Sequence, residues 1–301
     1  MKENKKGVFQ GPPPVKKEIL DAIKRKEFNI SYCNESESQK LDIYFPNEEP
    51  NKRYPVIVYF HGGAFRFGEK DDDALEPMLE GVNKGYVVIS AQYRLSKEAL
   101  FPAQVLDAKT VIRWVKANAE KYNLNPNKVA VWGPSSGGWL ASMVGATYGN
   151  PAFEDLSQGY SEYSSEVHAV INWCGPTSGF LEMDKAFKKS KLGTPDHNEA
   201  KSPESLFLGM QITKCPELVR LAAPITYIHK DIPPFLIIHG GSDQVVPVEQ
   251  SQMLYEKIKD VAGSNKVELF IAKGQLHHGA PWYHEKFVSD LCFDFLERVF
   301  K

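Results

Sequence analysis

A serine in a short glycine-flanked turn is the residue of this chain best suited to chemistry. Ser135 is the third residue of the run 133–137 (Gly-Pro-Ser-Ser-Gly), which follows four strand-forming residues, 129–132. Small and apolar residues then favour a buried helix. A serine in a strained strand–helix turn projects its hydroxyl above the sheet, and the flanking glycines let strand and helix approach closely. The pattern predicts that Ser135 is a nucleophile, although the same residue types also form ordinary turns.

Two further segments offer the groups that a nucleophilic serine needs. Asp243 is the first carboxylate after the apolar run 233–240, and the loop 274–279 carries His277 and His278. A histidine can take the serine proton as a general base, and a carboxylate can fix the tautomer of that histidine. Asp243 also suits a turn, but its position beyond a buried strand favours the orienting role.

A glycine-rich segment follows another apolar run, 54–60. His61 comes directly after it, and Gly62 and Gly63 come next. Without side chains at these positions, backbone N–H groups can approach a carbonyl oxygen closely. We expect the N–H groups of Ser136 and of Gly62 or Gly63 to form an oxyanion hole. A plain glycine turn is the alternative.

An alternation of strands and helices must bring these segments together. Strand patterns occur at 28–33, 40–45, 54–60, 86–92, 129–132, 167–174, 233–240 and 266–272. Helical patterns occur at 74–82, 102–122, after the serine turn, at 248–261 and at 283–300. This order predicts an α/β fold with a mostly parallel sheet flanked by helices. Because sites form at the carboxyl ends of parallel strands, His61, Ser135, Asp243 and the histidine pair should share one rim.

The domain organisation follows from where the alternation of strands and helices begins and where it is interrupted. Residues 1–25 form an N-terminal arm with a short helix, and residues 26–301 form the catalytic domain. Residues 177–232 interrupt the alternation, so we expect a small cap over the serine. The last helix should bury Phe287, Leu291, Phe295 and Val299.

Composition excludes several classes of protein. The chain has 301 residues, a net charge of -2 and 42% hydrophobic residues, which argues against nucleic acid or an anionic membrane as partner. No apolar run is long enough to span a membrane, and no signal peptide is evident. Four scattered cysteines without CxxC spacing indicate buried thiols in a reducing compartment. We expect a cytoplasmic monomer or homodimer, with secretion as the alternative location.

Several motifs, taken together, carry a resemblance. They are the strand 54–60 with His-Gly-Gly, Gln-Tyr-Arg at 92–94, Phe-Pro at 101–102 with Asp-Ala at 107–108, Gly-Pro-Ser-Ser-Gly-Gly at 133–138, and His-Gly at 239–240 with Asp-Gln-Val-Val-Pro at 243–247. Over residues 38–300 the chain resembles the α/β-hydrolase carboxylesterases of the branch related to hormone-sensitive lipase and to the bifunctional acetyl-xylan and feruloyl esterases. The resemblance implies the α/β-hydrolase fold and ester hydrolysis through an acyl-enzyme. Pro134, Ala64, Phe65 and the doubled histidine depart from the usual pattern.

The doubled histidine leaves two candidates for the base. In the resembling enzymes a small residue follows the catalytic histidine and a proline stands three positions on, which fits His278 and Pro281. Counting from Gly274, a G-x-x-H pattern would choose His277. We expect His278 to be the base, with His277 as the alternative, because the following loop and helix fix the register more firmly.

Aromatic residues near the predicted site bear on the substrate. Phe65 and Trp282 are the predicted substrate contacts, in a small pocket that would suit acetyl or hydroxycinnamoyl esters, including esters on plant polysaccharide fragments. The alternative is that these aromatics only fill the core. Activity should then fall as the acyl chain grows from acetyl to octanoyl.

Three functions other than ester hydrolysis remain open as alternatives. An amidase or peptidase would use the same triad, and a non-enzymatic hydrolase-fold protein would only bind a ligand. A metal site made from His277, His278 and His284 lacks the HExxH spacing and a clear carboxylate set. We therefore expect no metal and no cofactor, with a small-molecule or oligosaccharide ester as the partner.

Overall fold

A single sheet runs through the computed structural model, which describes residues 12–48, 52–279 and 281–301. Its strands within these ranges are β1 (Arg25–Ser31), β2 (Lys40–Phe45), β3 (Tyr54–Phe60), β4 (Val87–Ala91), β5 (Leu124–Pro134), β6 (Ala169–Trp173), β7 (Phe235–Gly240) and β8 (Val267–Ala272). They are ordered β1-β2-β4-β3-β5-β6-β7-β8 across the sheet. β1 and β2 pair antiparallel, as do β2 and β4, and every other neighbouring pair is parallel. The predicted mostly parallel sheet is confirmed, and β1 and β2 form an antiparallel pair at its edge.

Helices cover both faces of this sheet. In the described ranges they are α1 (Lys17–Ala22), α2 (Glu76–Asn83), α3 (Ala103–Ala117), α4 (Ser136–Ala146), α5 (Leu181–Ser190), α6 (Pro203–Leu208), α7 (Pro216–Leu221), α8 (Glu249–Ala262) and α9 (Lys286–Phe300). Alternate residues of β3 divide between two apolar cores: Val56 and Val58 face the core that includes α3, α4 and α8, whereas Ile57 and Tyr59 face the core under α2 and α9. A strand buried on both faces reads as a continuous apolar run, which is why its bounds were predictable.

The last helix presents a different face to the core from the one expected. Phe287 is 45% exposed and Leu291 is half-buried, whereas Val288, Cys292 and Phe293 are buried. Of the four predicted core residues of this helix, Phe295 is the one that is buried. The wider apolar stripe of α9 packs against the core. It consists, at helical spacing, of Val288, Cys292, Phe293 and Leu296. The prediction for Phe287 was wrong.

The insertion at 177–232 packs against the part of the fold that carries the serine. It contains α5, α6 and α7 with short 3₁₀ turns between them. The Trp139 indole on α4 donates a hydrogen bond to the carbonyl oxygen of Ala222 at 2.7 Å. The Phe207 ring stacks on Phe65 with centroids 4.2 Å apart. That this insertion acts as a cap stays a prediction, as do the boundaries of the domain.

The N-terminal segment joins the body of the protein beside α2. Lys16 Nζ lies 2.7 Å from Glu76 Oε2, and the backbone N–H of Lys16 donates to the other carboxylate oxygen at 2.9 Å. The first eleven residues of the predicted arm fall outside the described residues. Among the described residues, no helix combines the length and the apolar character that a membrane crossing requires.

Candidate active site

The turn between β5 and α4 holds Ser135 in a strained backbone conformation. Its φ is 53° and its ψ is -122°, a region that residues with a side chain rarely occupy. A Cβ atom on Gly133 or on Gly137 would overlap the carbonyl oxygen of Phe60 at the end of β3. Glycine is therefore required at both positions for β3, β5 and α4 to pack this closely. The strained serine turn expected from the sequence is present.

The loop after β3 is also built from unusual backbone angles. Gly63, Ala64 and Phe65 have φ values of 126°, 53° and 64°, so three successive residues lie in the left-handed region. The N–H groups of Arg66 and Phe67 both donate to the carbonyl oxygen of Gly63 at 3.0 Å and hold the loop in a tight turn. Positive φ values at two successive residues with side chains are rare and are typical of a strained, functional loop.

The N–H groups predicted for the oxyanion hole are free for a ligand. Those of Gly62, Gly63 and Ser136 make no hydrogen bond with any residue that the structure describes. Ser136 is the first residue of α4, where the helix dipole favours negative charge. Unpaired donors at this position suit an oxygen that gains negative charge during a reaction.

The two aromatic residues predicted to contact substrate lie in packed surroundings. Phe65 is buried between Phe207, on which it stacks, and Trp139, whose ring centroid is 5.2 Å away in an edge contact. Trp282 is buried, contacts Tyr283, and its indole donates to the carbonyl oxygen of Leu276 at 3.1 Å. Neither ring leaves an open face, so a direct contact with substrate stays a prediction for both.

The loop after β7 presents Asp243 within a complete set of donors. One carboxylate oxygen, Oδ1, accepts from the N–H groups of Val245 at 2.8 Å and Val246 at 2.9 Å. The other, Oδ2, lies 2.5 Å from His277 Nδ1 and 3.1 Å from His239 Nε2. Burial alone would raise the pKa of Asp243, but the charge of His277 and the contacts with both histidines hold that pKa below its ordinary value. Asp243 is thus a buried carboxylate that stays ionised.

His277 is the histidine that pairs with this carboxylate. It is nearly buried, which lowers its pKa, but the adjacent Asp243 charge outweighs burial and raises the pKa above its ordinary value. A bond from Nδ1–H to Asp243 leaves Nε2 as the nitrogen able to accept a proton, which is the tautomer a general base requires.

His278 lies on the other side of the site, against the glycine loop. A Cβ atom on Gly62 would be 3.1 Å from both Cε1 and Nε2 of His278. Burial and the neighbouring His277 charge lower the pKa of His278, so its imidazole is neutral. Among the described residues its Nδ1 has no hydrogen-bond partner. The structure therefore joins Asp243 to the alternative candidate, His277, and which histidine is the base stays a prediction.

Two other buried histidines contact residues of the site: His239 lies beside Asp243, and His61 lies beside Gly62. His239 Nε2 donates to the carbonyl oxygen of Val246 at 2.9 Å, and its Nδ1 accepts from the Ser251 hydroxyl at 2.7 Å. His61 stacks on Tyr93 with centroids 4.4 Å apart, and burial lowers its pKa to about 4. Sequence reasoning gave His239 no role in the site. The signal for more was its position in the His-Gly run that ends β7, four residues before Asp243.

A thiol that sequence reasoning set aside also reaches the site. Cys174 directly follows β6 with a φ of 46°. Its Sγ, a carboxylate oxygen of Asp243 and a ring nitrogen of His277 lie within 4.8 Å of one another, so these three residues could hold a metal ion. The histidine set considered from the sequence is not this group: His284 Nδ1 lies 3.9 Å from Glu76 instead. The sequence signal for Cys174 was its position: it directly follows β6, whose carboxyl end lies on the same rim as the other site residues.

These features define a class of fold. An eight-stranded, mostly parallel sheet with a strained serine between β5 and α4, an acid after β7 and a histidine after β8 is an α/β-hydrolase. The BD-FAE family model matches residues 41–258, and the chain belongs to that family. The resemblance to the α/β-hydrolase carboxylesterases is confirmed.

Relatives and solved structures agree with this membership. The esterase LipC of Mycobacterium tuberculosis is 30% identical over 75% of this chain and 54% of its own length, and esterase LipQ of the same organism is 27% identical over 90% and 62%. The chain thus spans little more than half the length of these relatives. A solved truncated carbohydrate esterase from gut microbiota is 31% identical, with a TM-score of 0.79 over 95% of this chain and 98% of that one. The thermophilic esterase Est2 of Thermogutta terrifontis is 25% identical, with a TM-score of 0.71 over 92% and 93%.

Proposed function

We propose that this protein is a serine carboxylesterase that hydrolyses short-chain acyl esters through an acyl-enzyme. The observation that carries the proposal is the 2.5 Å contact between Asp243 Oδ2 and His277 Nδ1 on the rim where Ser135 is held in a strained turn. A buried carboxylate that stays ionised, an imidazole held by it through Nδ1 and a serine hydroxyl are the parts that acyl transfer needs.

The reaction begins with attack by Ser135 Oγ on the ester carbonyl carbon. Nε2 of His277 takes the hydroxyl proton, and Asp243 offsets the charge of the imidazolium that forms. The carbonyl oxygen becomes negative and binds the free N–H groups of Ser136 and of Gly62 or Gly63. The tetrahedral intermediate then collapses, His277 protonates the leaving alcohol, and the acyl group stays on Ser135.

Hydrolysis of the acyl-enzyme repeats these steps with water. His277 takes a proton from the water, and the hydroxide attacks the acyl carbon. The second tetrahedral intermediate uses the same donors, and the proton on His277 returns to Ser135 Oγ as the acid leaves. All the groups in this cycle belong to the chain, so the proposal involves no cofactor.

The role of His278 differs under this proposal from the one expected from the sequence. Its ring lies against Gly62 and is neutral, and the contact with Asp243 belongs to His277. We assign it to the wall of the site, next to the donors for the carbonyl oxygen. Paired alanine variants separate the two: His277→Ala should abolish turnover while His278→Ala keeps a measurable part of it. The opposite result would restore His278 as the base.

The substrate class is supported by packing and by the relatives. Phe65, Phe207 and Trp139 fill the space beside the glycine loop, which favours a small acyl group over a long chain. One similar structure is a carbohydrate esterase, and another holds butyrate. Acetyl or hydroxycinnamoyl esters, on small alcohols or on plant polysaccharide fragments, fit these observations best. The four cysteines are free thiols, which fits the cytoplasm.

A hydrolysis panel tests the proposal directly. It contains p-nitrophenyl esters from acetyl to octanoyl, acetylated xylan, methyl ferulate and the anilide matching the preferred acyl group. We expect kcat/KM to fall with chain length and the anilide to be a poor substrate. A preference for octanoyl would contradict the small pocket, and preference for the anilide would indicate an amidase.

Labelling identifies the nucleophile independently of the substrate. A fluorophosphonate probe should modify Ser135, as located by peptide mass spectrometry, and should fail to label Ser135→Ala. Modification at Ser136, or no labelling of a folded protein, would contradict the assignment. The second result would instead support a hydrolase-fold protein that only binds a ligand.

A further inference from the structure

We propose that Cys174, Asp243 and His277 form a binding site for a thiophilic divalent cation such as Zn²⁺, and that the bound ion switches the enzyme off. The site goes beyond ester hydrolysis, although its effect on turnover rests on the proposed function. Its three ligand atoms, one sulfur, one oxygen and one nitrogen, lie within 4.8 Å of one another. All three residues are buried, so the ion would be shielded from bulk solvent.

The ligand chemistry selects the kind of ion. Zn²⁺ binds cysteine, histidine and carboxylate side chains at roughly 2.0–2.3 Å, so ligand atoms around it are less than about 4 Å apart. The three atoms here lie within 4.8 Å of one another, so side-chain rotations would have to bring any wider pair to coordination distance. A thiolate favours Zn²⁺ and Cd²⁺ over hard ions, and the all-oxygen coordination preferred by Mg²⁺ is absent among these three ligands.

A second observation points to the same place. The hydroxyl of Tyr283 is buried and has no hydrogen-bond partner among the described residues. Its ring packs on Trp173, which directly precedes Cys174 in the chain, with centroids 4.8 Å apart. A buried hydroxyl without a partner is costly unless something fills its hydrogen-bonding capacity. Water bound to the ion would provide that partner.

Inhibition follows from which nitrogen of His277 the ion takes. Coordination through Nδ1 replaces the 2.5 Å bond to Asp243 and frees the imidazole from its catalytic orientation. Coordination through Nε2 occupies the nitrogen that accepts the serine proton. Either geometry stops proton transfer, so the site and turnover exclude each other.

Direct binding is tested without any dependence on turnover. The full chain carrying Ser135→Ala is titrated with Co²⁺ and Zn²⁺, by absorbance for the cobalt–thiolate band and by calorimetry. We expect one ion per chain and a thiolate band. Adding Cys174→Ala should remove the band and weaken binding by at least tenfold, and Cys174→Ser should do the same, since a hydroxyl does not replace a thiolate. Cys292→Ala is the matched control, because Cys292 is equally buried and lies outside the cluster.

Inhibition of ester hydrolysis by the ion is the second test of the site. Zn²⁺ should inhibit hydrolysis of p-nitrophenyl acetate, EDTA should reverse the inhibition, and Mg²⁺ should have no effect. Cys174→Ala should need at least tenfold more Zn²⁺ for half inhibition, relative to its own metal-free rate. Unchanged inhibition and unchanged binding in folded Cys174→Ala would overturn the site. Cobalt binding that depends on Cys174 in a protein without esterase activity would leave the site intact and refute the proposed function instead.

Discussion

The two halves of the candidate site are organised by different physics. The half that holds Ser135 and the glycine loop is shaped by backbone sterics: glycines that admit no Cβ, and residues with positive φ. The half that holds Asp243 and His277 is shaped by side-chain hydrogen bonds and charge. Backbone sterics are imposed by residue type, whereas a hydrogen-bond network depends on which side chain reaches a partner. The first half could therefore be read from the sequence, and the second only in part.

The largest expected effect tests the half that depends on charge. Asp243→Asn should lower kcat by about 10⁴, because the amide no longer holds the His277 tautomer or offsets its positive charge. Circular dichroism and thermal unfolding should show a folded protein. Since the Asn oxygen can still accept from Val245 and Val246, the loop stays in place. A variant that kept near-normal kcat would mean that the orienting acid lies elsewhere.

The next effect tests the half that depends on backbone. Gly62→Ala adds a methyl group 3.1 Å from His278 and from the carbonyl oxygen of Pro134, so the loop or these neighbours must give way slightly. Displacing one oxyanion donor should lower kcat by about 10²–10³, with a much smaller change in KM. Gly81→Ala is the matched control, because in α2 the added methyl group would meet the side chains of Ile57 and Phe293 at a similar 3.2 Å. An unchanged kcat in Gly62→Ala would remove this loop from the oxyanion hole.

A pH experiment probes the one titrating imidazole buried beneath the glycine loop. Burial lowers the pKa of His61 to about 4 from an ordinary value of 6.5, while the hydrogen bond with the Gly62 carbonyl and the charge of Asp71 oppose the shift. The folded state thus binds its proton less readily, so the stability it contributes is complete above pH 6.5 and is lost as pH falls through 4. The difference corresponds to about 3 kcal/mol. Urea unfolding at pH 7 and pH 4.5 should show a smaller loss for His61→Asn than for the parent, whereas His229→Gln should behave like the parent.

The smallest effect asks whether the insertion supports the glycine loop. Phe207→Leu removes the ring stacked on Phe65 and should lower the free energy of unfolding by about 1 kcal/mol. Because Phe65 belongs to the strained loop, kcat should also fall, by up to about tenfold, while KM changes little. Phe153→Leu is the matched control: Phe153 is buried and packs on Phe101 and Tyr227 instead. Equal kcat values in the two variants would separate the insertion from catalysis.

Particular elements show how far the sequence could be read. The bounds of β2 and β3 were predicted to the residue, because both carry an uninterrupted strand pattern between turn signals. The strained turn at Ser135 followed from residue types alone. The pairing of Asp243 with His277 did not, since His277 and His278 are adjacent and chemically identical, and only the three-dimensional path of the loop separates them.

The aromatic residues and the last helix show the same limit. Phe65 was predicted to face substrate, and its buried stacking on Phe207 joins residues 142 positions apart that no local pattern connects. Phe287 and Val288 are adjacent apolar residues, so the orientation of α9 depended on which stripe found more partners in the core. Hydrophobic periodicity does not show which residues pack together when they lie far apart in the sequence.

The hydrogen bond from Trp139 to the carbonyl oxygen of Ala222 has a consequence for protein engineering. Trp139 is four residues from Ser135 on the helix that begins at the nucleophile, so the insertion is fastened to the same helix that carries the reactive turn. Grafting the insertion of a relative onto this scaffold would exchange more than a specificity element. A successful chimera must bring a carbonyl group to the position of Ala222 and an aromatic ring to the position of Phe207. Libraries that recombine insertions should therefore vary positions 139, 65 and 207 together.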